Sequence, residues 1–99
     1  MPVTTIFAPH AGACHPQIAV NSSGKAIAVW YQNDGNRNNI WAAGFNGTSW
    51  EPAVNISVAD NNTGNAEYPQ IAIDSSGNAI AVWKQNDGTR ESIYANRFD

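Results

Sequence analysis

Residues 16–46 and 69–99 are two copies of one unit. They align without a gap at an offset of 53 residues, and 20 of the 31 aligned positions are identical, including 26–30 against 79–83 and 32–35 against 85–88. A repeat constrains a fold more than composition does. Each copy must form the same supersecondary unit, and each must bury its apolar surface against a neighbour of the same kind.

The unit reads as strands separated by turns. A short apolar strand over 17–21 (70–74 in the second copy) runs into Ser22-Ser23-Gly24 (Ser75-Ser76-Gly77), where glycine supplies a positive φ at little cost. The next strand, 25–32, alternates Ala26, Ala28 and Trp30 with Ile27, Val29 and Tyr31. Both of its faces are apolar, as expected for a strand covered on two sides. Asn33-Asp34-Gly35 is a second turn, 39–46 a third strand and Gly47 a third turn. A fourth strand over 49–56 is interrupted by Pro52, which has no N–H for a ladder and so suits an edge. No segment keeps a 3.6-residue apolar period, so no helix is predicted. The expected class is all-β, with two antiparallel meanders of four strands, the second ending after its third.

Composition narrows the partners. Five basic and eight acidic residues give the 99-residue chain a net charge of −3, which excludes a basic nucleic-acid footprint. Apolar runs such as 26–31 are too short to cross a membrane. A single cysteine, Cys14, allows no internal disulfide, so the fold must rest on packing or on association with other chains. The first fifteen residues carry no basic segment followed by an apolar stretch, so no secretory signal is expected and the compartment stays open.

Four-stranded meanders repeating every roughly 40 to 55 residues, apolar on both faces, are what β-propellers stack around an axis. The pattern PQIA(V/I)(N/D)SSG(K/N)AIAVW followed by QNDG, which spans 16–99, resembles blades of bacterial β-propellers of the sialidase-like and lectin-like groups. The resemblance implies a closed ring of about four to eight blades. This chain supplies two: blade 1 over 16–57 and an incomplete blade 2 over 69–99, within a single unit 1–99. The 53-residue offset also aligns 2–7 with 55–60, the tail of strand four. The expectation is therefore a head-to-tail homo-oligomer in which 2–7 fills the second blade of a neighbouring subunit. A trimer is favoured, since sialidase-like relatives have six blades. The alternative is a pair of blades from a longer array.

Candidate site residues follow from the same pattern. Trp30 and Trp83 have alanines beside them on their faces, which suits an aromatic wedge between blades. Trp41 and Tyr94 begin the third strands and Trp50 begins the fourth. The segment 45–50, with Asn46 in its turn, resembles the turn of small propeller lectins, where an aromatic residue and polar groups frame a sugar pocket. Apolar C–H faces of a sugar stack on such rings while its hydroxyls take polar contacts. Asp34 with Arg37, and Asp87 with Arg90, are either a repeated binding loop or aspartates capping their own turns. His10, Cys14 and His15 are too few and too local for a metal signature, so no metal or cofactor is predicted.

Catalysis is not expected, and no catalytic residue is assigned. The sialidase resemblance would imply three distinct arginines, a Tyr–Glu pair and a lone acid, whereas Arg37 and Arg90 are repeat equivalents and Arg97 aligns with Gly44. Repeated equivalent sites suit multivalent binding. The reading is a non-enzymatic, lectin-like module binding glycans and copies of itself, with Trp41, Trp50, Tyr94, Asn46, Asp34, Arg37, Asp87 and Arg90 as ligand contacts. Two alternatives stay open: a scaffold propeller with no small ligand, and a glycosidase-like remnant.

Overall fold

Each copy of the repeat folds as an antiparallel meander. A computed structural model describes residues 12–57 and 64–98. The first sheet runs β1 (Cys14–Val20), β2 (Ala26–Asn33), β3 (Asn38–Phe45) and β4 (Val54–Asn55); the second runs β5 (Ala66–Ile73), β6 (Ala79–Asn86) and β7 (Glu91–Phe98). Neighbours in sequence are neighbours in each sheet, and the described residues contain no helix. Residues 2–7, expected to supply a strand to a neighbour, lie outside the described residues.

Two local features depart from the sequence reading. Where a fourth strand over 49–56 was expected, only Val54–Asn55 joins the ladder, with an isolated bridge between Phe45 and Trp50. The Glu51 N–H donates to Gly44 O at 2.7 Å and Pro52 has no N–H, so the chain leaves the sheet between the two contacts. The first strand of each unit begins before Pro16 or Pro69, and its register shifts between Cys14 and Gln17 and between Glu67 and Gln70. These bulges hold the equivalent residues His15 and Tyr68 at φ 51° and 57°. A bulky side chain held there stores about 1–3 kcal/mol of strain.

The two sheets stack face to face, with β5 closest to β2 and β1. The faces that meet are not equivalent. From the first sheet come Ile27, Val29, Ile40 and Ala42; from the second come Ala79, Ala81 and Trp83, with Ala66 and Ile56 at the margins. By the repeat alignment, the Ile27 face of one sheet lies against the Ala28-type face of the other. The alanines leave the depth that the Trp83 indole fills, so the wedge expected from sequence is present at this joint. Its Nε1–H donates to buried Gln85 Oε1 at 2.9 Å, and Trp30 makes the same bond to Gln32 at 3.1 Å. Residues i and i+2 of a strand share a face, which is why Trp-x-Gln recurs.

A smaller cluster sits on the outer face of the first sheet. Ala28, Trp30 and Ala43 are buried there beneath half-buried Trp41, Trp50 and Ala53.

Candidate functional site

The repeated turns link the sheets at one end. Asn21 Oδ1 accepts the N–H groups of Ser23 and Lys25 at 3.0 and 3.1 Å, and Asp74 Oδ1 accepts those of Ser76 and Asn78, both at 2.9 Å. Asn21 then reaches across the joint, its Nδ2–H donating to Asp74 O at 3.1 Å. Behind this clasp lies a cleft of about 140 Å³ lined by Lys25, Ile27, Phe45, Asn46, Glu51 and Phe98. Gly44 also lines it, and a Cβ there would stand 3.3 Å from Glu51 Oε1 and 3.4 Å from Phe98. A side chain there would press on the end of the exposed Glu51 side chain.

Beside the cleft, the Phe45 and Trp50 rings pack at 5.3 Å across the tight turn of Asn46. Asn46 Oδ1 accepts the N–H groups of Thr48 and Ser49 at 2.9 and 3.0 Å, leaving its amide nitrogen without a partner among the described residues.

The opposite end holds the Asp-Gly turns. Asp34 Oδ1 accepts the N–H groups of Asn36 and Arg37, and its Oδ2 takes Asn39 Nδ2–H at 2.6 Å. Asp87 repeats this with Thr89, Arg90 and the Ser92 hydroxyl. The carboxylates are occupied by their own turns, and Arg37 and Arg90 follow them at the same spacing. Hydrogen bonds from backbone N–H hold both carboxyls below the usual aspartate value, those of Asn36 and Arg37 at Asp34 and of Arg90 and Thr89 at Asp87. Asp74 is lowered as well, chiefly by the Asn78 N–H.

A lowered folded-state value means the native chain binds fewer protons than the unfolded one. The stabilisation is complete above the unfolded aspartate value and disappears as pH falls through the folded value. Urea midpoints followed by circular dichroism are expected to stay flat from neutral to about pH 5 and to fall below about pH 4. The triple variant Asp34→Asn, Asp74→Asn, Asp87→Asn should show a shallower decline.

At this same end the two bulges meet in an aromatic row that the sequence reading did not single out. His15 stacks on Tyr31 at 5.3 Å and lies 5.0 Å from Tyr68, with Tyr31 and Tyr68 at 6.2 Å; Lys84 Nζ stands 5.3 Å from the Tyr68 ring centre. Glu67 Oε2 accepts Asn38 Nδ2–H at 3.0 Å. Burial, followed by neighbouring Cys14 and Glu67, pushes the Tyr31 phenol above its ordinary value. The available signal was positional: residues 15 and 68 are equivalent and each precedes a proline, which disfavours a regular helix and invites a bulge.

The outward faces carry the most informative pattern. In the second sheet Ile80, Val82 and Ile93 are 52%, 38% and 76% exposed, whereas their equivalents Ile27, Val29 and Ile40 are 2%, 0% and 0%. In the first sheet Ile18 and Val20 are 60% and 66% exposed, whereas Ile71 and Ile73 are half-buried against the joint. Each of these apolar positions is wholly or partly covered in one copy and open in the other. On the outer face of the second sheet, where the first sheet has its cleft, lies an open pocket of about 330 Å³ lined by Ala72, Asp74, Asn78, Ile80 and Arg97.

The predicted site residues are dispersed over this frame. Trp41 and Trp50 lie on the outer face of the first sheet, while Tyr94, the equivalent of Trp41, lies in the joint, stacked on Trp83 at 6.4 Å. Asn46 and Trp50 come together at one end. Asp34, Arg37, Asp87 and Arg90 lie at the other, because β2 runs from the partner of Phe45 to the partner of Asn38. No protein-family model, curated protein or solved structure matches this chain.

Proposed function

We propose that the chain is a two-blade unit of a closed β-propeller, completed by further copies head to tail, and that the assembly is a non-enzymatic, multivalent binding module of lectin type. The exchange of exposure between equivalent positions carries this reading. The operation that sets the second sheet on the first, applied once more, sets the open Ile80–Val82–Ile93 face of one copy on the Ile18–Val20 face of the next. Such an interface is heterologous, and it closes into a ring when the rotation divides a full turn. Three copies give six blades.

In this arrangement Trp41 takes at the joint between copies the place that Tyr94 takes inside one copy. Trp50 and Asn46 then stand at the rim of that joint, where an indole face and a free amide suit a saccharide. Binding rather than catalysis is favoured by the carboxylates of Asp34 and Asp87, both of whose oxygens serve their own turns; hydrolysis of a glycoside needs a carboxyl pair facing the scissile bond.

Light scattering on the 99-residue chain is expected to give the mass of a trimer, and a stable folded monomer would overturn the assembly. Glycan-array binding is expected to be lost in Trp50→Ala at unchanged mass. Silence of the wild-type assembly on every glycan would instead favour a scaffold without a small ligand.

A further inference from the structure

We infer that the open pocket around Arg97 is half of a second kind of binding site, completed by the next copy and selective for an acidic saccharide. The inference rests on the assembly and saccharide readings above and adds the ligand's charge and the residue that reads it.

The internal cleft and the open pocket occupy equivalent places, and three substitutions make them differ. Asn21, whose amide clasps the internal joint, is replaced by Asp74, whose side chain has no N–H to donate. Lys25 is replaced by the shorter Asn78. Gly44, beside Glu51 and Phe98, is replaced by Arg97. The first change removes the hydrogen bond that ties the internal joint at this end. The third places a guanidinium where the internal cleft has only backbone.

The same alignment supplies the missing wall. Ile73, Gly77 and Phe98 close the internal cleft from the second sheet. Their equivalents on a second copy are Val20, Gly24 and Phe45, and Val20 is exposed in this chain. With Phe45 come its ring partner Trp50 and the Asn46 turn. The completed pocket would thus have an apolar floor from Ala72 and Ile80, an indole at its rim and Arg97 opposite.

Arg97 is exposed, and its guanidinium has no hydrogen-bond or ion-pair partner among the described residues. The Asp74 carboxylate lines the same pocket but makes no ion pair with Arg97; one of its oxygens is held by the Ser76 and Asn78 N–H groups. A planar fork with five donors matches a carboxylate bidentately, and this is the chemistry that separates an acidic sugar from a neutral one of the same shape.

The test titrates the assembled wild-type chain, its mass fixed by light scattering, with glucuronate and with glucose, following ligand resonances by NMR. Glucuronate is expected to bind about tenfold more tightly than glucose, as for one charge-assisted pair at a partly solvated site. Arg97→Ala should abolish that preference while circular dichroism and mass stay unchanged, and Arg97→Lys should restore only part of it. The variant Val82→Lys, Ile93→Lys, altered on the same open face but outside the pocket lining, is expected to be monomeric and to bind neither sugar. An assembled wild-type chain without preference, or an unchanged preference in Arg97→Ala, would overturn the inference and leave the assembly standing. A wild-type chain of monomer mass would overturn the assembly first.

Discussion

The double variant Ile80→Lys, Ile93→Lys is expected to have the solution mass of a single chain while keeping the circular-dichroism spectrum and unfolding midpoint of the wild-type chain at dilution. Both side chains are exposed within one chain, so exchanging them should change its own stability by no more than about 0.5 kcal/mol. At a joint between copies they would take the places of Ile27 and Ile40, which are fully covered. An unpaired ammonium there costs several kcal/mol, and each ~1.4 kcal/mol is a tenfold loss of association. Retention of the wild-type mass would mean that this face is not the joint. Asp74→Asn is the variant of opposite sign. An asparagine can cap the turn as Asn21 does and also donate across the joint, so association should tighten roughly fivefold, the worth of one net hydrogen bond of about 1 kcal/mol.

What the sequence discloses about this fold, and what it withholds, divides along one physical line. The repeat, the Ser-Ser-Gly and Asn-Asp-Gly turns and the two-sided β2 are local or periodic, and their strands lie within a few residues of the expected positions. The alternation of Ile27 and Val29 with Ala28 and Trp30 says that both faces are apolar. It does not say which face finds a cover inside the chain. That is why Trp41 and Tyr94, alike by alignment, occupy different surroundings, one on an outer face and one in the joint. The bulges at His15 and Tyr68 were hidden for a related reason. Proline reads as a strand start, yet pairing continues upstream to Cys14 and Ala66 once a single residue is taken into the left-handed region. The candidate pocket is legible only after the sheets are stacked, because it depends on what Gly44 and Arg97 face, and no spacing rule encodes that.

Trp83→Ala is expected to have the largest effect on the chain itself. The indole is 3% exposed, sits over Ala79 and Ala81 between the sheets, stacks on Tyr94 and donates to Gln85. Its removal opens a cavity that the small neighbours cannot fill, worth about 3–5 kcal/mol for an aromatic residue in a core. It also leaves Gln85 Oε1 buried without that donor, about 1–3 kcal/mol more. Against a typical total of about 5–15 kcal/mol for a domain, the variant should be largely unfolded at 25 °C. The two contributions separate in Trp83→Phe, which keeps most of the ring and loses the donor. Urea unfolding should show a loss of about 1–3 kcal/mol for this variant. Equal midpoints for wild type and Trp83→Ala would show that the sheets do not depend on this joint. Ile80→Ala, measured at the same dilution, provides the matching contrast. It should be nearly silent, whereas Ile27→Ala at the equivalent covered position should cost about 2–5 kcal/mol, so the two copies of one sequence pattern would report directly which face the chain covers by itself.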